Sequence, residues 1–107
     1  AVGVDDEAIV RVVNKVIEQK GGIAASLNTF VMGLDLPVAG IMSNLDGKSV
    51  GKTYSLIDLF VRTDLKSPLR APFMTLSFMA LPVIPSLKMT DKGLFDGESF
   101  EWTTVFQ

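Results

Sequence analysis

The sequence predicts an α+β fold: a small, mainly antiparallel sheet with two amphipathic helices packed on it. Three observations carry this. Two stretches repeat apolar residues at helical spacing, and several short β-prone runs are joined by turn-like residues. Helices and strands also do not alternate one for one, as a doubly wound parallel sheet would require. At 107 residues the chain is expected to form a single domain over 1–107.

The elements follow in order. Asp5, Asp6 and Glu7 open the first helix, because carboxylates near a helix start accept from free N–H groups and complement the dipole. Ile9, Val12, Val13, Val16 and Ile17 then fall on one face, which predicts a helix over Asp6–Gln19 with Gly21 and Gly22 as its stop. Two apolar runs separated by Asn28 and Thr29 predict a hairpin with strands at 22–27 and 30–35. Pro37 and Gly40 punctuate a bent segment over 36–43, expected against the sheet.

A polar start at Asp46–Ser49 leads into Val50, Tyr54, Ile57 and Val61, a second helix widened by Phe60 and ended by Pro68, with 64–67 already loose. The run 73–81 fits either a buried strand or a short helix carrying Pro72 in its first turn. Leu87–Thr90 and Gly93–Phe95 flank a turn at Asp91–Lys92, and Phe100–Phe106 reads as a closing strand.

Composition narrows the function classes. Hydrophobic residues make up 48% against 21% charged, and mean hydropathy is +0.37. That is rich for so short a chain: either the core is unusually well filled or apolar surface is covered by a partner, and the concentration of apolar residues in one stretch favours the second. Ten basic and twelve acidic residues give a net charge of −2. No basic patch marks a nucleic-acid partner, and no run approaches the length of a membrane span. The first residues, Ala1–Val4, have no charged region before an apolar core, so no signal peptide is expected. The missing initiator Met fits either a fragment or simple Met removal. With no Cys there is no disulfide framework, in keeping with a cytoplasmic location. With neither His nor Cys, the chain cannot build an imidazole- or thiolate-ligated metal site.

The remaining motifs are weak. Gly47-Lys48-Ser49-Val50-Gly51-Lys52-Thr53 contains Gly-Lys-Thr, but Asp46 stands where a phosphate loop needs its first glycine. No spacing forces two carboxylates together for acid/base work, and no acidic cluster marks a magnesium site. Ser43, Thr75 and Ser77 lack a histidine base; a Ser–Lys pair using Lys88 is the residual option. Seven Phe beside one Trp and one Tyr read as core filling rather than a base-stacking platform.

One long motif carries more. Pro72-Phe73-Met74-Thr75-Leu76-Ser77-Phe78-Met79-Ala80-Leu81-Pro82-Val83-Ile84-Pro85, continued through Leu87–Asp96, closely resembles the C-terminal region of bacterial and archaeal adenine deaminases. Leu36-Pro37-Val38-Ala39-Gly40-Ile41-Met42-Ser43 is an earlier anchor, and the first helix with Gly21-Gly22 is similar to the segment before it. Asn44 departs from the family's usual Asp after Met-Ser, Ser26–Thr29 lacks its charged Gly-containing turn, and the second helix matches poorly.

The resemblance implies a parent hydrolase of the amidohydrolase superfamily that converts adenine to hypoxanthine and ammonia. It implies a divalent metal, manganese or iron, in an upstream barrel domain, with no cofactor in this chain. It further implies a non-catalytic segment and a homo-oligomer, and composition has already spoken against a nucleic-acid or membrane partner. Interface candidates are Met42, Phe73, Met74, Phe78, Pro82 and Pro85. Ser43, Asn44, Thr75 and Ser77 are weak candidates for purine contact, and no catalytic or metal-binding residue is expected. The alternative is a stand-alone binding or oligomerisation module without deaminase activity.

Overall fold

The structure is a computed structural model, and it describes residues 1–105. It has three helices and two small antiparallel sheets: α1 (Asp6–Glu18), β1 (Gly22–Leu27), β2 (Phe30–Asp35), α2 (Gly47–Thr63), α3 (Pro72–Met79), β3 (Leu87–Thr90), β4 (Gly93–Asp96) and β5 (Glu101–Thr103). The expected α+β class holds. The sheet is not one but two, because each hairpin pairs only with its sequence neighbours: β1 with β2, and β3–β4–β5 in order. The chain divides into two compact units, Ala1–Pro72 and Phe73–Gln107.

In the first unit, Asp5 caps α1 by accepting from the Ala8 N–H at 2.7 Å, with Asp6 and Glu7 in the first turn. The helix closes on a Schellman motif. Lys20 takes the left-handed conformation (φ 58°) while its N–H donates to the Ile17 carbonyl, and the Gly21 N–H donates to that of Val16. These bonds satisfy carbonyls the helix would otherwise leave free. The left-handed residue is thus Lys20, one position earlier than the glycine pair that marks the stop in sequence.

Gly22, at φ 121°, starts β1; a Cβ there would collide with the Leu34 carbonyl. The β1–β2 register runs from Gly22↔Asp35 to Leu27↔Phe30, so Asn28 and Thr29 form a two-residue turn. Asn28 takes φ 52°, a conformation its short polar side chain tolerates.

Side chains alternate across this hairpin. Ala24, Ser26, Val31 and Gly33 share one face, and Ala25, Leu27, Phe30 and Leu34 share the other. α1 lies on the first, where Arg11 Nε donates to Ser26 Oγ at 3.3 Å and Gln19 sits against Gly33. Small residues there let the helix backbone come close. α2 lies on the second face, with the Phe60 ring edge-on to Phe30 at 5.5 Å. The unit is therefore three layers, helix–hairpin–helix, with Ala25, Leu34, Ile57 and Val61 as its buried apolar residues.

Gln19, the C-cap of α1, ties two of the layers together. It is buried, and its Nε2 donates to the carbonyls of Gly21, Ile23 and Leu34 at 3.2, 3.3 and 3.2 Å. The segment expected to bend does so: Val38 and Met42 pair across a tight turn through Ala39 and Gly40. There Gly40 packs so closely on Gly21 that a Cβ on Gly21 has no room.

In the second unit the ambiguous apolar run is a helix. Pro72 occupies its first position, where a missing N–H costs nothing, and Ser77 Oγ donates back to the Phe73 carbonyl at 2.9 Å. β3 and β4 pair around Asp91–Lys92, where Thr90 Oγ1 donates to the Gly93 carbonyl and accepts from the Lys92 N–H. Asp96 shapes the next turn, accepting from the Glu98 N–H at 2.8 Å and the Ser99 N–H at 3.4 Å. The closing strand is shorter than expected, Glu101–Thr103; Phe106 lies outside the described residues. Phe95 holds this sheet's aromatic cluster, edge-on to Phe100 and Trp102 at 5.2 Å each.

Candidate functional site

The residues with chemical potential sit in local structural roles. Asp46 is the N-cap of α2: its Oδ1 accepts from the N–H groups of Lys48 and Ser49 at 3.0 Å each, and its Oδ2 accepts from Ser49 Oγ. The Ser49 hydroxyl, then its N–H, holds the Asp46 carboxyl below the ordinary carboxylate value. A helix N-terminus already filled by its own anion does not cradle a phosphate. The Gly-Lys-Thr string is thus a capped helix start. The Glu98 N–H similarly lowers the Asp96 carboxyl in the second unit.

The four weak purine candidates divide between the units. Ser43 and Asn44 follow the Val38–Met42 turn in the first unit, and Ser43 Oγ accepts from the Leu45 N–H at 3.1 Å. Thr75 and Ser77 lie on α3 in the second, where the Ser77 hydroxyl is engaged with the helix backbone. Neither unit holds all four. No group of three His, Cys, Asp or Glu side chains that could hold a metal occurs among the described residues. An open groove lies between the start of α1 and the hairpin tip, lined by Asp5, Asp6, Glu7, Arg11, Asn28 and Thr29. Its carboxylates are solvated, and its arginine is turned to Ser26 and, at 4.0 Å, to Glu7.

Apolar exposure is the more distinctive feature. Of the interface candidates, Met42, Met74 and Phe78 are exposed, Pro85 is exposed, Pro82 is half-buried, and Phe73 is buried. α3 is apolar on every side and still presents Met74, Leu76, Phe78 and Met79 to solvent. A helix apolar all round is ordinarily a buried one. Sequence reasoning missed two further exposed sets. Val10, Val13 and Ile17 line α1 beside its packed face, and Leu56 and Leu59 stand on α2 away from Ile57 and Val61. The signal was available: an apolar arc too wide for one contact, and two leucines one turn apart opposite a core stripe.

Fold and surface together define a small α+β chain with one helix-covered hairpin and a separate three-stranded sheet, and with apolar groups left in solvent. The family model for the adenine deaminase C-terminal domain matches residues 1–101, and the chain belongs to that family. Among its curated relatives, the adenine deaminase of Sulfurovum sp. (strain NBC37-1) is 52% identical over 102 residues, 95% of this chain and 19% of the relative. That of Methanosarcina mazei is 49% identical over 106 residues, and that of Salinibacter ruber 46%, each covering 99% of this chain and 19% of the relative. The chain thus spans about a fifth of the length of these relatives. No solved structure matches. No helix among the described residues is long and apolar enough to cross a membrane.

Proposed function

We propose that this chain is the C-terminal part of an adenine deaminase and supports the catalytic portion rather than performing the chemistry. The observation that carries the reading is the collinear match of nearly the whole chain to one fifth of adenine deaminases at about half identity. The parent reaction is a hydrolysis: the oxygen of water adds to purine C6, the C6–N bond breaks, and adenine plus water gives hypoxanthine and ammonia. The described side chains do not fit the divalent metal, manganese or iron, of that reaction, so no step through it is assigned to this chain. Its ligands belong to the upstream barrel domain.

In this proposal residues 1–107 act as one domain, with Met42, Met74, Phe78, Pro82 and Pro85 in the interface. The parent is cytoplasmic, homo-oligomeric and part of purine metabolism. The test is an ammonia-release assay on the 107-residue chain with adenine and added manganese, expected to stay at background. Turnover by the isolated chain overturns the reading. Adenine titrated to millimolar concentration against Trp102 fluorescence is expected to give a flat response; a saturating change would instead place purine contact in this chain.

A further inference from the structure

The β1–β2 sheet is only two strands wide, yet helices cover both its faces. Its hydrogen-bonding alternation is fixed by the two-residue turn and by the Leu36 N–H donating to the Gly21 carbonyl. Pairs in phase with Gly21↔Leu36 bond to each other, and the intervening residues point their N–H and C=O groups outward. On β1 these are Gly22, Ala24 and Ser26. Ser26 is only 9% exposed as a whole residue, and its outward backbone groups have no ladder partner, because β1 pairs with β2 alone. Buried backbone groups are nearly always paired.

α1 adds an independent observation. It packs mainly over β1 and reaches across to Gly33 of β2 with Lys15 and Gln19. Its opposite flank, Val10, Val13 and Ile17, therefore overhangs the outer edge of β1, and these side chains are 54, 40 and 68% exposed. A helix on a wider sheet would bury them. The outer edge of β2 carries Val31, Gly33 and Asp35 at its outward positions.

We propose that the outer edge of β1 receives a further β-strand, supplied by the part of the longer polypeptide outside this chain, with the Val10–Val13–Ile17 flank of α1 closing over it. This rests on the functional reading above. The occupant is argued from length: relatives carry about four-fifths of their sequence beyond the matched region, and that region is the family's C-terminal domain. Strand addition to an open edge supplies the missing backbone partners in one step.

The test compares amide exchange at Ala24 and Ser26 in the 107-residue chain and in a chimera. In the chimera this chain replaces the matching segment of the Sulfurovum adenine deaminase. The same exchange is read with the upstream portion of that protein supplied as a separate polypeptide. Both amides are expected to exchange about 100-fold more slowly in the joined or mixed form. Ala24→Pro removes one outward N–H without removing a ladder donor, and with the fold of the isolated variant checked by circular dichroism it should abolish the added protection of Ser26. Equal exchange in all forms overturns the proposal. So does protection of the isolated chain that rises with concentration alongside a dimer mass, which would make a second copy the occupant. Ammonia release by the chimera is read separately: turnover without protection defeats only the strand, and protection without turnover defeats only the functional reading.

Discussion

At the residue scale, two polar side chains hold unit 1 in ways that can be measured. Gln19 is buried with its Nε2 shared among three carbonyls. Gln19→Leu keeps the bulk and removes the donors, while the three carbonyls keep their backbone partners and the buried Oε1, which has no partner, is lost, so it is expected to cost about 0.5–1.5 kcal/mol in urea unfolding, the range for a hydrogen bond lost without leaving a group unpaired. Asp46 acts at the surface. Its carboxyl is lowered from the ordinary 3.8 by Ser49 and the helix-start N–H groups. A depressed folded value means the stabilisation is present above pH 3.8 and fades as pH falls through the folded value. Asp46→Ala should therefore lower the thermal midpoint at neutral pH, and the gap to the parent chain should close on acidification below that point. Asp46→Asn, which still caps, should keep most of the midpoint.

At the element scale, glycines and core residues separate by environment. Ile57 is fully buried on α2, and Ile57→Ala is expected to cost about 2–5 kcal/mol by denaturant titration. Gly22→Ala places a Cβ on the Leu34 carbonyl at a positive φ and should cost about 3 kcal/mol. Gly51, in the middle of α2 with nothing near its missing Cβ, behaves in the opposite sense. Gly51→Ala should stabilise the chain by about 0.5–1 kcal/mol in the same titration. Position within an element, rather than residue type, sets the sign.

At the scale of the whole molecule, apolar surface outweighs apolar core. Besides Pro72, only five apolar residues are buried among those described, against exposed side chains on all three helices. Leu56 and Leu59 are each 49% exposed, on the side of α2 away from Ile57. Replacing both with Lys should change the stability of the isolated chain by less than about 0.5 kcal/mol. A marked loss of stability would show that these leucines serve the chain's own fold.

Much of this was legible in order along the chain. The hairpin strands at 22–27 and 30–35 coincide with β1 and β2, and α1 begins where Asp5 caps it, because caps, turns and alternation are local signals written within a few residues. The family, too, was readable from 72–96 without coordinates. Tertiary structure alone decided three things. It made 73–81 a helix, where uniform apolarity carries no period. It split the strands into two sheets, because pairing partners are chosen by chain proximity and not by composition. And it showed which apolar faces find no cover, because whether a wide apolar arc is satisfied depends on how many strands lie beneath it, and the sheet beneath α1 is two strands wide.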